Sequence, residues 1–431
     1  MRLWIVAMAL GVMAASDVIA FEPGKYKQGP LAGLPSAPGS HLEKIRTLAD
    51  NTWLKLDAPA ADPQWGNARG RAWGAPMPYA PELKAAFLFG EGVHGWYNKQ
   101  TNRYMDDLWA YDVNAHRWIC VYPGADVKNI ALKVNADGFE VDQDGQPIPL
   151  AQMAHAFSQV TYDTDRNRFM FMPCPGPDWT RALGERRKSW AGYPKWPHVP
   201  RSCSPWMYNV VTGKFELFKV QGISAPNSMA DVMVYLPSIK KSFYYRGGPK
   251  DAWLYDAKTN AWTRLTPKGP LPPFGIDANA CLDLKRNRIY FGGGYYPVTA
   301  GPSAFWCYDV ASNAWIDLQP KGKPCMGCNR YGPNHALLHY DSANDVVVLF
   351  YHRLPQSKTD GDVNPGAKAL GVYIYDPAAN AWSEAPLPLP KEISRCPSGF
   401  YCPDLNAHFI HCADDSADNG VMSVYRYKRS K

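Results

Sequence analysis

Ala252-Trp253-Leu254-Tyr255-Asp256, followed by Trp262, is one of five passages in this chain built to a single plan. The others are Leu108-Trp-Ala-Tyr111-Asp112 leading to Trp118, Pro205-Trp-Met-Tyr208-Asn209 to Phe215, Phe305-Trp-Cys-Tyr308-Asp309 to Trp315, and Val372-Tyr-Ile-Tyr375-Asp376 to Trp382. In each, Asp or Asn follows a Tyr, and an aromatic residue arrives seven positions after that Tyr. Self-similarity at a fixed offset is the signature of a repeat architecture.

Alternating apolar residues up to the Tyr describe a strand with a buried face. The Asp or Asn at its end accepts hydrogen bonds from turn amides, and Asn260, Asn313, Asn380 or Gly213 suits the left-handed position of the turn. The next strand opens on its Trp or Phe. Upstream lies a second pair of strands around a polar turn, as in Thr161-Tyr-Asp-Thr-Asp-Arg-Asn-Arg168, Leu282-Asp-Leu-Lys-Arg-Asn-Arg288 and Leu338-His-Tyr-Asp-Ser-Ala-Asn-Asp345. Four antiparallel strands cannot bury their own faces and must stack on neighbouring units. The expected fold is all-β, a β-propeller.

Arg288-Ile-Tyr-Phe-Gly-Gly-Gly294, Trp306-Cys-Tyr-Asp309 and Trp315 together resemble a kelch repeat, and Arg246-Gly247-Gly248 occupies the matching place one unit earlier. The other units depart from that pattern at Gly90-Glu-Gly92, Pro173-Cys-Pro-Gly176, Tyr351-His352 and Cys412-Ala413. The resemblance implies a kelch-type propeller, a group that includes the central domain of galactose oxidase and the bacterial sialic acid mutarotases. It speaks to architecture before function.

The Tyr strands ending at 112, 209, 256, 309 and 376, with Ser423-Val-Tyr-Arg-Tyr427, give six blades, with seven as the alternative. No Trp strand follows Tyr427, whereas Thr52-Trp53-Leu-Lys-Leu56 is a Trp strand with no blade before it. The two complement each other, so the N-terminal strand is expected to close the ring. At 431 residues the chain has length for two or three domains. A propeller uses it in one, spanning 51–431. A short helix is expected at about Ser40 to Ala49, within an extension covering 21–50.

Residues 1–20 read as a signal peptide: Met1-Arg2, the apolar run Leu3 to Ala15, and Val18-Ile-Ala20 before Phe21. The run is short for a membrane span. The mature protein is expected to be secreted or periplasmic, with no membrane span after cleavage. Ten cysteines, an even number, suit that compartment. Cys174 and Cys203 flank one long loop and are the expected disulfide, while Cys120, Cys281 and Cys307 fall inside strands as buried thiols. Cys325-Met-Gly-Cys328 has no His after it and no second Cys-x-x-Cys, which counts against haem and structural zinc.

Insertions concentrate between second and third strands and between blades, on one face of the disc. Long loops on a rigid scaffold carry binding and catalysis. The 175–202 loop holds Trp179, Trp190, Tyr193 and Trp196 with Arg181, Arg186, Arg187, Lys188 and Lys195. Aromatic faces stack on sugars and Arg or Lys bind carboxylates or sulfates, so an acidic glycan fits; so does a loop burying its own Trp residues over the disc. A net charge of +7 favours anionic partners. Nucleic acid matches formally but not for an exported protein.

Residues at the strand ends converge on the central channel: Arg71, His155, Asn227, Asp277, Asn279, His335, Ser398, Arg246, Tyr295 and His352. His155, Asp277, His335 and His352, with Arg246 to hold a carboxylate, supply pieces for acid–base chemistry on a sugar. Asn227, Asn279 and Tyr295 are candidate ligand contacts. Histidines with a Tyr also suit copper. Asp360-Gly-Asp362-Val-Asn364 has calcium-like oxygen spacing without a following Glu ligand. Each His has an equally direct structural use, bonding neighbouring blades.

Two readings follow. One is an exported binding module for carbohydrate or an extracellular or periplasmic protein, on the long-loop face. The other is a carbohydrate-active enzyme at the channel mouth, a sugar mutarotase or epimerase or a copper-radical oxidase.

Overall fold

A computed structural model describes residues 29–71, 76–90, 97–98, 103–104, 106–126, 133–149, 158–174, 205–223, 225, 231–273, 278–292, 305–322, 337–352, 370–388, 390, 393, 398–412 and 420–428. Six four-stranded antiparallel sheets form a six-bladed β-propeller, which removes the seven-blade alternative. The innermost strands are Tyr79–Ala80, Val160–Asp163, Val232–Leu236, Asn279–Asp283, Leu337–Asp341 and Ser398–Cys402. The first five blades use consecutive four-stranded runs, the first admitting a small hairpin of Tyr97–Asn98 and Arg103–Tyr104 between its second and third strands. The sixth takes its outer strand, Thr52–Lys55, from the start of the chain. Trp53 pairs with Tyr425 there, so the orphan Trp strand closes the ring.

The spacing of seven is a matter of register. Tyr111, Tyr208, Tyr255, Tyr308 and Tyr375 lie directly opposite Trp118, Phe215, Trp262, Trp315 and Trp382, with ring centroids 4.9–5.4 Å apart. Between each pair stands a four-residue turn, at 113–116, 210–213, 257–260, 310–313 and 377–380. The residue after the Tyr accepts turn amides as expected: Asp112 from Asn114 and Ala115, Asn209 from Val211 and Thr212, Asp309 from Ser312. The last turn residue has positive φ at Gly213, Asn260, Asn313 and Asn380, and at His116 in the first blade. Asn260, Asn313 and Asn380 also accept the hydroxyl of their own blade's Tyr, at 2.6, 2.8 and 2.9 Å. Gly213 has no side chain for this, and the Tyr208 hydroxyl is buried without a partner. Gly29 crosses there, and a Cβ on it would stand 3.1 Å from the Gly213 Cα.

Blades are joined by aromatic packing and by the links between them. Phe243 of the third blade sits 4.6 Å from Tyr308 of the fourth, and Tyr245 lies 5.1 Å from Trp315. All four are buried, each contributing about 1.5–3 kcal/mol from burial. After the outer strands of the second, third, fourth and sixth blades the chain bridges alongside the next: Gln221 with Ala261, Lys268 with Ala314, Lys321 with Ala381 and Ala60 with Arg117. Gly269 must be glycine, because its φ is +86° and a Cβ would lie 2.5 Å from the Trp315 carbonyl.

The segment from residue 29 packs on the ring. Leu31 and Leu34 join the core between the first two blades, and Ser36 donates to Asp112 at 2.8 Å. The helix is shorter than expected, His41–Arg46, and Arg426 of the last strand donates to the carbonyls of Ile45, Arg46 and Leu48 at its end. Among the described residues no helix is long and apolar enough to cross a membrane.

Candidate functional site

Antiparallel alternation sends the six inner hairpins and the five Tyr–Trp hairpins to one end of the blades. All the inner turns also have four residues, ending in positive φ at Lys84, Asn167, Lys240, Asn287, Asp345 and Asn406. The connections at the opposite end run over 90–107, 172–205, 293–305, 353–369 and 413–420, and only the third blade keeps a short one, 247–250. The channel therefore has a short-turn end and a long-loop end.

At the long-loop end the channel is collared by buried polar groups. Ser158 of the second blade donates to Asn279 Oδ1 of the fourth at 3.3 Å, spanning the third blade's inner strand, while the Ser158 carbonyl accepts from Met233 N–H at 2.7 Å. The Asp231 N–H donates to Gln159 Oε1 at 3.1 Å. The Asp231 carboxyl accepts from the Tyr244 hydroxyl at 2.5 Å and from Gly247 N–H at 3.2 Å. Burial pushes its pKa up to about 7 in spite of those bonds. Asn279 is thus buried at the long-loop end of the fourth blade's inner strand. Arg246 is close by, but both its Nε and Nη2 are engaged by the Asp251 carboxylate, at 2.7 and 2.5 Å. Its guanidinium already holds a carboxylate, that of its own strand partner.

At the short-turn end a ring of tyrosines lines the channel. Tyr79, Tyr162, Tyr235, Tyr340 and Tyr401 occupy equivalent places, two residues before the turn, in five inner strands; Leu282 takes the place in the fourth blade. Four of the five reach back to a carboxylate of the preceding blade: Tyr79 to Asp404, Tyr162 to Glu82, Tyr235 to Asp165 and Tyr401 to Asp341. Tyr340 instead donates to Asp345 of its own turn at 3.0 Å, and Asp345 is paired with Lys285 and Arg286 of the preceding blade. Burial pushes the hydroxyls of Tyr79, Tyr235, Tyr340 and Tyr401 well above their ordinary range, so they stay protonated donors.

Between the fifth and sixth blades two buried imidazoles stack at 5.5 Å, with His339 Nδ1 3.3 Å from His408 Nδ1 and His408 Nε2 3.4 Å from Asp341. Burial would raise Asp341, but the bonds from His408 and Asn344 prevail and hold it below the ordinary carboxylate range. A carboxylate there accepts from His408 Nε2–H, and the two Nδ1 atoms of His408 and His339 share one proton between them. Burial, then the neighbouring His408, hold His339 neutral.

Sequence reasoning missed the tyrosine ring, Asp231 and the His339–His408 pair. The ring had a signal, a Tyr two residues before five of the six inner turns; the partners of most of its members lie far along the chain. Of the residues it did single out, His155, Asp277, His335, Asn227, Tyr295, Trp179, Arg186, Arg187, Trp190, Tyr193 and Trp196 lie outside the described residues, as does the Asp360–Asn364 stretch. His352 is described only as the end of a strand, opposite Leu370. Cys174 is buried at the base of its loop, and its expected partner Cys203 lies outside the described residues. Cys120 and Cys307 are buried thiols as expected; Cys281 is a thiol but partly exposed, on the channel wall. Among the described residues no three His, Cys, Asp or Glu groups converge on a metal position. No protein-family model matches the sequence, and no curated protein matches it.

Proposed function

We propose that this chain is an exported kelch-type propeller acting as a binding module, with a carbohydrate held on its long-loop face. The observation that carries the reading is the division of the disc: eleven uniform four-residue turns on one face, and on the other the connections of widely different length. Binding surfaces vary where a rigid scaffold lets loops vary. The 175–202 loop, with its Trp and Arg residues, belongs to that face and matches an acidic glycan in chemistry. A glycan array probed with the chain from Phe21 onward tests this. Retention of acidic glycans, weakened at least about tenfold by Trp190→Ala with Trp196→Ala, is the expected result. An array on which the parent protein binds nothing overturns it.

Asp231 favours a second reading. A carboxyl poised near neutral pH at the long-loop end of the channel suits proton transfer in sugar mutarotation or epimerisation. Its burial among Tyr244, Gly247 and Gln159 keeps this reading second. Following the anomeric ratio of candidate acidic sugars by NMR decides it, since an unchanged rate of equilibration removes the enzyme.

A further inference from the structure

The glycan reading leaves the channel itself unused, and a cavity of about 350 Å³ runs down it from Ser158 to the short turns. All six inner strands wall it, from Ser158 and Ala280 down to the turn residues Pro81, Thr164, Pro237, Leu284, Ser342 and Pro403. The volume is at the lower end of small-molecule sites, roughly 300–1,000 Å³, and too confined for a helix. We infer that it is a second binding site, independent of the long-loop face, for a small uncharged molecule with an aromatic or aliphatic body.

Three observations fix that class. The wall is apolar: Val160, Val232, Val234, Leu338 and Phe400 stand between the tyrosines. The tyrosine hydroxyls are spent on carboxylates in or next to the turns, which leaves ring carbon facing the lumen. Three of those five carboxylates are in turn neutralised, by Lys84 on Asp404, Lys240 on Asp165, and Lys285 and Arg286 on Asp345; Asp341 lies buried against His408, and burial shifts Glu82 towards its uncharged form, so the rim presents little net field to a charged ligand. Proline at the first position of three rim turns, Pro81, Pro237 and Pro403, stiffens the opening and favours a preformed site.

The way in is at the fourth blade. Leu282 breaks the tyrosine ring, and Ala280, Cys281 and Leu282 are all partly exposed, whereas all of Leu337–Asp341 in the next blade is buried. Leu284 on the lip is 63% exposed. In the preceding turn Ser238 stands where Asp165 and Asp404 stand elsewhere, and it donates to Asn287 at 2.8 Å.

N-phenyl-1-naphthylamine, a neutral fluorescent aromatic, is the probe. The intact protein should bind it saturably at one site. Leu282→Tyr completes the ring and Ala280→Trp fills the lumen; each should weaken binding at least about tenfold while the glycan array profile is unchanged. Leu282→Tyr installs the residue that five blades already carry, so it should fold if Ala280→Trp does not. No saturable binding by the parent, or equal binding by a folded Leu282→Tyr variant, overturns the proposal. Loss of probe binding with Trp190→Ala and Trp196→Ala would place the probe on the other face and overturn it too.

Discussion

The Tyr111 hydroxyl donates to His116 Nδ1 at 2.6 Å, and His116 Nε2 lies 2.8 Å from the Asp57 carbonyl. In three other blades Asn does this work: it accepts the tyrosine through Oδ1 and donates through Nδ2 to the chain that enters from the preceding blade, as Asn313 does to Thr266 and Asn380 to Leu318. Neutral histidine protonated on Nε2 offers the same acceptor and donor pair, which is why it replaces Asn at a left-handed position of φ 51°.

That substitution adds a pH dependence. Burial, and to a lesser extent His41 with its ring 5.2 Å away, lower the His116 pKa, while the Asp57 carbonyl works against them. The unfolded chain then takes up a proton more readily than the folded one, so stability is present above the unfolded pKa of about 6.5 and is lost as pH falls below it. His116→Asn keeps both bonds and removes the titration. Relative to the parent, its melting temperature should rise at pH 5 and change little at pH 8; an equal difference at the two pH values would show that His116 does not titrate on unfolding.

Closure rests on Trp53, whose ring lies 4.9 Å from Tyr425 and 5.9 Å from Phe350. It is partly exposed, and its indole N–H is buried without a partner, so its contribution is packing. Trp53→Ala should cost about 2–4 kcal/mol and expose the edge of Val421–Arg426. Denaturant unfolding reads the cost, and protease cleavage near residues 51–56 should rise with it. A loss below about 1 kcal/mol would mean that the backbone pairing alone closes the ring.

Asn313 separates the two roles of its turn. Its φ of 48° suits Asn or Gly, and its side chain holds Tyr308 at 2.8 Å and the Thr266 carbonyl at 3.3 Å. Asn313→Gly keeps the backbone and loses the bonds, so it should cost about 1–2 kcal/mol. Asn313→Ala loses both and should cost about 1 kcal/mol more. Urea unfolding of the pair checks the order, and Ala no worse than Gly would remove the backbone part.

The repeat was legible because it is local. Tyr, Asp, Asn and Trp at offsets of zero, one, five and seven describe one hairpin, and turn chemistry with a two-residue period is enough to read it. The partner of Trp53 was legible for another reason: an unpaired Trp strand at one end matched a missing one at the other. The channel was not legible. Tyr235 meets Asp165, and His339 meets His408, across blade boundaries some 70 residues apart. Nothing local distinguishes His339 from a strand residue beside a turn. In the sequence Arg246 reads as free to hold a ligand because its partner Asp251 is opposite it only once the Gly247–Lys250 turn is closed.

Asp231 gives the opposite slope to His116. Burial raises its carboxyl from an ordinary 3.8 to about 7, so the folded state holds the proton more tightly than the unfolded chain does. Its contribution is full below about pH 4 and is lost as pH rises towards 7, at up to about 1.4 kcal/mol per pH unit. Asp231→Asn is uncharged throughout and cannot lose stability this way. It also leaves Tyr244 and Gly247 sharing one acceptor oxygen, a cost of about 1 kcal/mol that does not depend on pH. The variant should therefore be the less stable protein at pH 4 and the more stable one at pH 8. Unfolding free energies from urea titrations across that range check the crossover. Parallel curves would mean that Asp231 is ionised in the folded ring, its charge carried by the bonds from Tyr244 and Gly247.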